Sequence, residues 1–220
     1  MRVQTALYAA GIPAPRPLAG PLAVPSGPGH LTFEEHVDGE LADAHEPSVR
    51  RAMAHGLAEL VRLAAPHASR ELASTWWDWF AGPLWPRPHS TQFDFSVPSG
   101  AWIDDLGARA RSRLTGWPGE PVVGHGDWSV KNLRFRDGRI AAVHDWDSLC
   151  LLPEVCIEEV EAFLAEYESA RGHPFTGAER SAFDAATVYA MGYSARCEHE
   201  PGPEGEFQRL LHALAARAGL

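Results

Sequence analysis

The chain has 220 residues, of which 45% are hydrophobic and 22% charged, and a net charge of −10, the composition of a folded domain with a sizeable core. No stretch approaches the roughly 18 uninterrupted apolar residues of a membrane-spanning helix, and the acidic balance excludes the basic stripe of a general nucleic-acid binder. The first residues carry one arginine and a short apolar run broken by Gly11 and Pro13, which reads as a short helix rather than an export signal, so a cytoplasmic location is expected.

Residues Val3 to Ala10 are predicted as that helix. Leu22 to Val24 and Leu31 to Val37 read as short strands on either side of a Pro- and Gly-rich turn at 25–29, forming a hairpin that Asp38-Gly39 ends. Pro47 suits the first turn of a helix. Behind it Val49, Met53, Leu57, Leu60, Val61 and Ala64 recur at helical spacing, which places a long helix over about 47–65. The Trp-rich stretch 66–100 is read as mostly irregular, with a helix near Thr75 to Phe80. Asp104 to Leu114 is predicted as a helix whose first turn is favoured by Asp104 and Asp105.

Pro121 to Val123 opens a β region. Leu133 to Arg136 and Arg139 to Val143 are strands, and the Asp137-Gly138 pair between them is a strong hairpin signal. The last third is read as helical: Ile157 to Arg171, then a helix to about Cys197 opened by a Thr176/Glu179 capping box, then Glu204 to Ala218. Cys150, Cys156 and Cys197 match no zinc-ligand spacing and read as idle thiols. The order of elements implies an α+β protein with a mostly helical main body.

One segment concentrates chemistry. His125, Gly126, Asp127, Lys131 and Asn132 precede the hairpin, and His144, Asp145 and Asp147 follow it. In an antiparallel pair turned at Asp137-Gly138, Asn132 and Asp145 stand at the two feet of the ribbon and meet. Oxygen ligands converging there suit a hard cation such as Mg²⁺. Asp127 lies on the loop entering the hairpin, where it can face the same cleft as a base for a hydroxyl.

The set His125-Gly126-Asp127, then Asn132, then Asp145-Trp146-Asp147 thirteen residues on resembles the signature of the aminoglycoside phosphotransferase and choline kinase family. Residues Ala9 to Pro15 are similar to that family's helix end before the hinge strand, and Phe33 to Gly39 to its hinge between lobes. The resemblance implies a protein-kinase-like fold. It would consist of a remnant N-terminal lobe and hinge over 1–37 and a helical C-terminal lobe over 38–220 that contains the catalytic hairpin. It implies ATP or GTP and Mg²⁺ as cofactors, and a small-molecule hydroxyl as acceptor. Asp127 would orient or deprotonate that hydroxyl, and His125 would brace the loop. Asn132 and Asp145 would hold Mg²⁺, and the backbone from Glu35 to Val37 would meet the nucleobase. Lys131 would reach a transferred phosphate or remain a solvated loop charge. Asp147 would support the metal indirectly or serve structure alone.

The chain departs from that family at its front end. A full enzyme opens with a Gly-rich strand pair over the phosphates and a lysine on the next strand. Here the hinge arrives by about residue 35, so on the order of three strands are missing, and the reading is of a reduced N-terminal lobe. Of nineteen basic residues eighteen are arginine, and the only lysine is Lys131. Arg2 or Arg16 could stand in, though a guanidinium is not an equivalent point charge. Weak nucleotide binding is expected.

The alternative function is a catalytically silent binding or regulatory module on a kinase scaffold. A metal-dependent hydrolase using His125, Asp127 and Asp145 is a third reading. An aromatic cage built from Trp76, Trp77, Trp79 and Trp85 competes with simple packing. Arg196, Glu198, His199 and Glu200 read as a solvated helix end or as part of an acceptor site. The acceptor and the oligomeric state are not legible.

Overall fold

The computed structural model describes residues 2–25, 27, 29–68, 82–85, 95–117, 122–146, 149–152, 160–199 and 204–220. In chain order the elements are α1 (Arg2–Ala9), β1 (Pro17–Ala23), β2 (His30–Glu34), α2 (Pro47–Ala64), α3 (Ala101–Thr115), β3 (Val122–His125), β4 (Leu133–Arg136), β5 (Arg139–Val143), β6 (Leu149–Leu152), α4 (Val160–Arg171), α5 (Gly177–Cys197) and α6 (Glu206–Ala218). They fall into two compact units. The first contains α1, α2, α4 and all six strands; the second contains α3, α5 and α6. The N-terminal helix and hairpin group with the 122–152 segment in the first unit.

The first unit is organised by α2. Its buried positions Met53, Ala54, Leu57, Ala58, Leu60 and Ala64 form one stripe at helical spacing. Leu57 and Leu60 are essentially inaccessible, each contributing about 2 kcal/mol of burial. That stripe packs on α4 and on strands β3 and β5. Close approach requires Gly56, where an added Cβ would come within 2.7 Å of Ile140 Cδ1 and 3.4 Å of the Trp128 ring.

The predicted hairpin forms as β4–β5, in the register Leu133↔Val143 to Arg136↔Arg139. Asp137 and Gly138 both take positive φ, 52° and 70°, as a two-residue type I′ turn demands. The outer edge of β4 is also occupied: the Glu40 and Phe135 backbones exchange hydrogen bonds of 2.9 and 2.8 Å. Strands β3 and β6 pair antiparallel from Val122↔Leu152 to His125↔Leu149. The sequence reading expected no strand at β6, because a four-residue apolar run has no period of its own.

At the N-terminus β1 and β2 form a second hairpin, with β1 starting five residues earlier than expected. Leu18, Leu22, Leu31 and Phe33 remain between 51% and 54% exposed. Helix α1 is tied to this hairpin by buried Gln4, which donates to Pro15 O at 3.2 Å and to Glu34 Oε1 at 2.6 Å.

In the second unit α5 packs on both α3 and α6, and its buried residues run round most of its circumference. The expected capping box opens it: Glu179 N–H donates to Thr176 Oγ1 at 3.2 Å, and Thr176 N–H to Glu179 Oε2 at 2.7 Å. The helix expected near Thr75 to Phe80, with Trp76, Trp77 and Trp79, lies outside the described residues. Trp85 is described and is core rather than cage. It is 8% exposed, lies tilted against the Tyr189 ring with centroids 5.0 Å apart and donates its indole N–H to Asp104 at 2.7 Å. Among the described residues no helix is long and apolar enough to cross a membrane.

Candidate active site

The site grows from the two feet of the β4–β5 hairpin. A 3-10 turn, Val130–Asn132, leads into β4, and β5 releases the chain at His144. The His144 N–H donates to Asn132 O at 2.8 Å, which extends the ladder by one step and places Asn132 beside Asp145. The Asn132 amide Nδ2 donates to Asp127 O at 2.9 Å and lies 3.5 Å from Asp145 Oδ2. One side chain thus touches both the loop before the hairpin and the segment after it. The structure thus brings Asn132 against the main-chain carbonyl of Asp127 and toward the Asp145 carboxylate.

His125 locks the same two segments from beneath. It is 5% exposed. Its Nε2 lies 2.7 Å from His144 O, and its Nδ1 accepts the Asp127 N–H at 3.3 Å. Because Nδ1 accepts, Nε2 carries the hydrogen and donates. Both ring nitrogens are occupied by backbone, so His125 positions the loop on which Asp127 sits. The Trp128 and Trp146 rings meet its edges at 5.9 and 6.0 Å.

Asp145 is exposed and has φ of 64°. A left-handed conformation at a residue with a Cβ costs roughly 1–2 kcal/mol and recurs where geometry serves a site. With the Asn132 amide nitrogen committed to Asp127 O, its Oδ1 makes no hydrogen bond among the described residues. The donor set offered is therefore one amide oxygen and one exposed carboxylate beside a second carboxylate. That chemistry fits Mg²⁺, which takes few protein oxygens and completes its shell with phosphate and water. No group of three or more His, Cys, Asp or Glu side chains placed to hold a metal occurs among the described residues.

Lys131 is not an isolated loop charge. Its Nζ lies 2.9 Å from Asp127 Oδ2, with the side chains 67% and 37% exposed. At the hinge, Glu35 donates its N–H to Arg16 O at 2.9 Å, and its carboxylate accepts from Arg16 Nε at 3.1 Å. Arg16 is thereby engaged. The Val37 N–H has no backbone acceptor among the described residues. Hinge and hairpin are electrostatic neighbours. Burial, then the Arg134 guanidinium, hold the His144 imidazole below its ordinary range, with Glu34 opposing and His36 adding to the lowering. Asp147 lies outside the described residues.

A cleft of about 610 Å³ opens at the hairpin's other end, lined by Asp38, Glu40, Leu41, Val49, Phe135 and Arg136 among others. It sits at the turn, roughly 13 Å along the ribbon from the feet, and does not include the candidate residues.

The C-terminal cluster differs from expectation. Arg196 is 2% exposed, not solvated. It donates Nε to Asp104 Oδ1 at 2.9 Å and Nη2 to Val97 O at 3.0 Å and to Phe95 O. Asp104 therefore serves Arg196 and Trp85 as well as standing in the first turn of α3, as expected. Glu198 is exposed, and Glu200 lies outside the described residues. His199 forms a feature the sequence did not announce, with Nε2 2.8 Å from Ser99 Oγ and Nδ1 2.5 Å from Gln208 Nε2. It resembles a nucleophile–base–orienter chain, but the protons run the wrong way. Gly205 N–H donates to Gln208 Oε1 at 2.6 Å, so the Gln208 NH₂ must face His199. Nδ1 then accepts, Nε2–H donates to Ser99, and no base is left for the hydroxyl.

The element order is that of a protein-kinase-like fold. The sequence matches the phosphotransferase enzyme family over residues 1–156, and the chain belongs to that family. Among solved structures it is similar to the amicoumacin kinase hAmiN in complex with AMP-PNP, Ca²⁺ and Ami. That match has a TM-score of 0.67 and 10% identity and covers 99% of this chain and 75% of that one. It is also similar to a choline/ethanolamine kinase family protein from Mesorhizobium loti, with a TM-score of 0.58, 14% identity and coverage of 99% and 75%. A third is APH(2″)-IIa in its streptomycin–ATP ternary complex, with a TM-score of 0.52, 12% identity and coverage of 99% and 77%. At these identities the likeness is one of fold. No curated protein matches the sequence.

Proposed function

We propose that this protein is a cytoplasmic kinase that transfers the terminal phosphate of ATP or GTP to a hydroxyl of a small molecule. The observation that carries the reading is the meeting of Asp127, Asn132 and Asp145 at the hairpin feet, through the Asn132 amide. In this reading the acceptor oxygen attacks the γ-phosphorus, and the bond from that phosphorus to the β,γ-bridging oxygen breaks. The nucleoside diphosphate leaves with the electron pair, and Asp127 takes the hydroxyl proton. Asn132 and Asp145 would hold Mg²⁺, whose contribution is to neutralise charge on the phosphates. His125 is a positioning residue. The Glu35 to Val37 backbone meets the nucleobase, for which the open Val37 N–H is a suitable donor, and Lys131 is a phosphate contact.

Several features of a full kinase front end have no counterpart in these 220 residues, and phosphoryl transfer depends on such charge positioning. Slow turnover and weak nucleotide affinity are therefore part of the reading. A calorimetric titration with Mg·ATP is expected to give an affinity weaker than micromolar; a micromolar value would remove the impairment. The silent-module alternative is separated by a product assay across candidate hydroxyl acceptors, native protein against Asp127→Ala. Turnover lost in the variant supports a kinase. Equal background turnover in both favours a binding protein.

A further inference from the structure

The proposed base is already occupied. Lys131 Nζ sits 2.9 Å from Asp127 Oδ2, across four residues of the catalytic loop. Both side chains are open to solvent, so the pair contributes little to folding. Two other cations of this unit are engaged as well. Arg16 is bonded to Glu35, and Arg134 donates Nη1 to the carbonyls of Lys131 and Leu133 at 3.1 and 2.9 Å. Lys131 differs from them. It is the only ammonium side chain in the sequence, and its flexible four-carbon stem lets the charge swing without moving the backbone. It also directly precedes Asn132, whose amide contacts Asp127 O and approaches Asp145. A phosphate anchored at those two feet therefore falls within the sweep of this ammonium.

We propose that Lys131 exchanges partners during the cycle. Without nucleotide it neutralises Asp127. When a nucleoside triphosphate binds, the ammonium turns to the terminal phosphate, which carries more charge than one carboxylate, and Asp127 is released to meet the acceptor hydroxyl. The exchange gives the site an order, nucleotide before acceptor. It also supplies a phosphate-facing cation from the catalytic loop itself. This inference rests on the phosphotransferase reading, and its test keeps the two apart.

The test uses the full chain and an acyl-phosphate analogue of ATP, a mixed anhydride on the terminal phosphate. The lysine amine attacks the carbonyl carbon. The carbon–nitrogen bond forms, the carbon–oxygen bond to phosphate breaks, ATP leaves as the anion, and the amine proton passes to solvent. Intact mass and peptide mapping then separate Lys131 from the N-terminal amine. The expected result is one acyl group on Lys131, suppressed by excess Mg·ATP and absent in Lys131→Gln. As a second arm, Asp127→Asn should speed acylation of Lys131 by a nucleotide-free acetylating ester, because its ionic partner is gone. Mg·ATP should slow that same reaction in the native chain.

Fluorescent-nucleotide binding is measured in parallel. If nucleotide binds while Lys131 stays unlabelled, or if excess Mg·ATP fails to suppress labelling, the exchange is wrong and the kinase reading stands. If neither binding nor labelling is seen, both fall. If Asp127→Asn leaves the free acetylation rate unchanged, the ion pair does not hold Lys131 in solution, and the exchange is again overturned.

Discussion

At the hairpin feet Asn132 meets both the Asp127 carbonyl and the Asp145 carboxylate, and Asp145 is still exposed to solvent while Asp127 and Asn132 are half-buried. In the helical unit Ser99, His199, Gln208, Asp104 and Arg196 are as polar, yet their hydrogen bonds run to one another and to nearby backbone, and the Arg196 Nη1 that has no partner among the described residues is buried. Both clusters contain residue types associated with catalysis. The first spends backbone strain at Asp145 to keep a carboxylate outside. The second uses a buried guanidinium to tie the 95–97 segment to α3 and α5. Reactive side chains make a site only where the hydrogen-bonding capacity left over faces solvent, and that is readable from partners and exposure, not from residue names.

The contrast can be broken experimentally, and the largest effect belongs to the open cluster. Asp127→Ala is expected to lower phosphate transfer by about 10²–10⁴-fold while shifting unfolding stability by no more than about 0.5 kcal/mol. A large loss of stability would make Asp127 structural. The closed cluster should behave in the opposite sense. Arg196→Met is expected to cost about 3 kcal/mol in denaturant unfolding without altering nucleotide affinity, since no described contact links it to the hairpin feet. A nucleotide-binding defect at full stability would overturn that assignment.

His125 connects the two behaviours, because it is buried yet serves the open site. His125→Phe removes a donor to His144 O and an acceptor for Asp127 N–H. It should cost about 2 kcal/mol and reduce turnover as well, with activity falling more than the fraction folded. The smallest effect is at Trp128, whose buried indole N–H has no hydrogen-bond partner among the described residues. Trp128→Phe deletes that orphan donor and keeps an aromatic ring against Gly56, so stability should change by less than about 1 kcal/mol in either direction. A loss well beyond that would mean the indole N–H has a partner in solution.

Much of the open site was legible beforehand. Asp137-Gly138 demands a tight turn, the turn sets the register, and the register brings Asn132 and Asp145 together; each step is local. The Thr176/Glu179 cap and the stripe on α2 are local in the same sense. Strand β6 was not legible, because Leu149 to Leu152 is too short to show a period and finds β3 only across the hairpin.

The sequence by itself therefore determined most of the helices, the β4–β5 hairpin and the set of oxygens at its feet, because these follow from dihedral preference and spacing over a few residues. Tertiary structure alone decided that Arg196 lies buried with an aspartate 92 positions away, that His199 faces Ser99 as a donor, and that Lys131 spends its charge on Asp127. The physical reason is range. A long charged side chain chooses its partner by which charges and carbonyls the folded backbone brings within hydrogen-bond distance, and chain order carries no record of that distance.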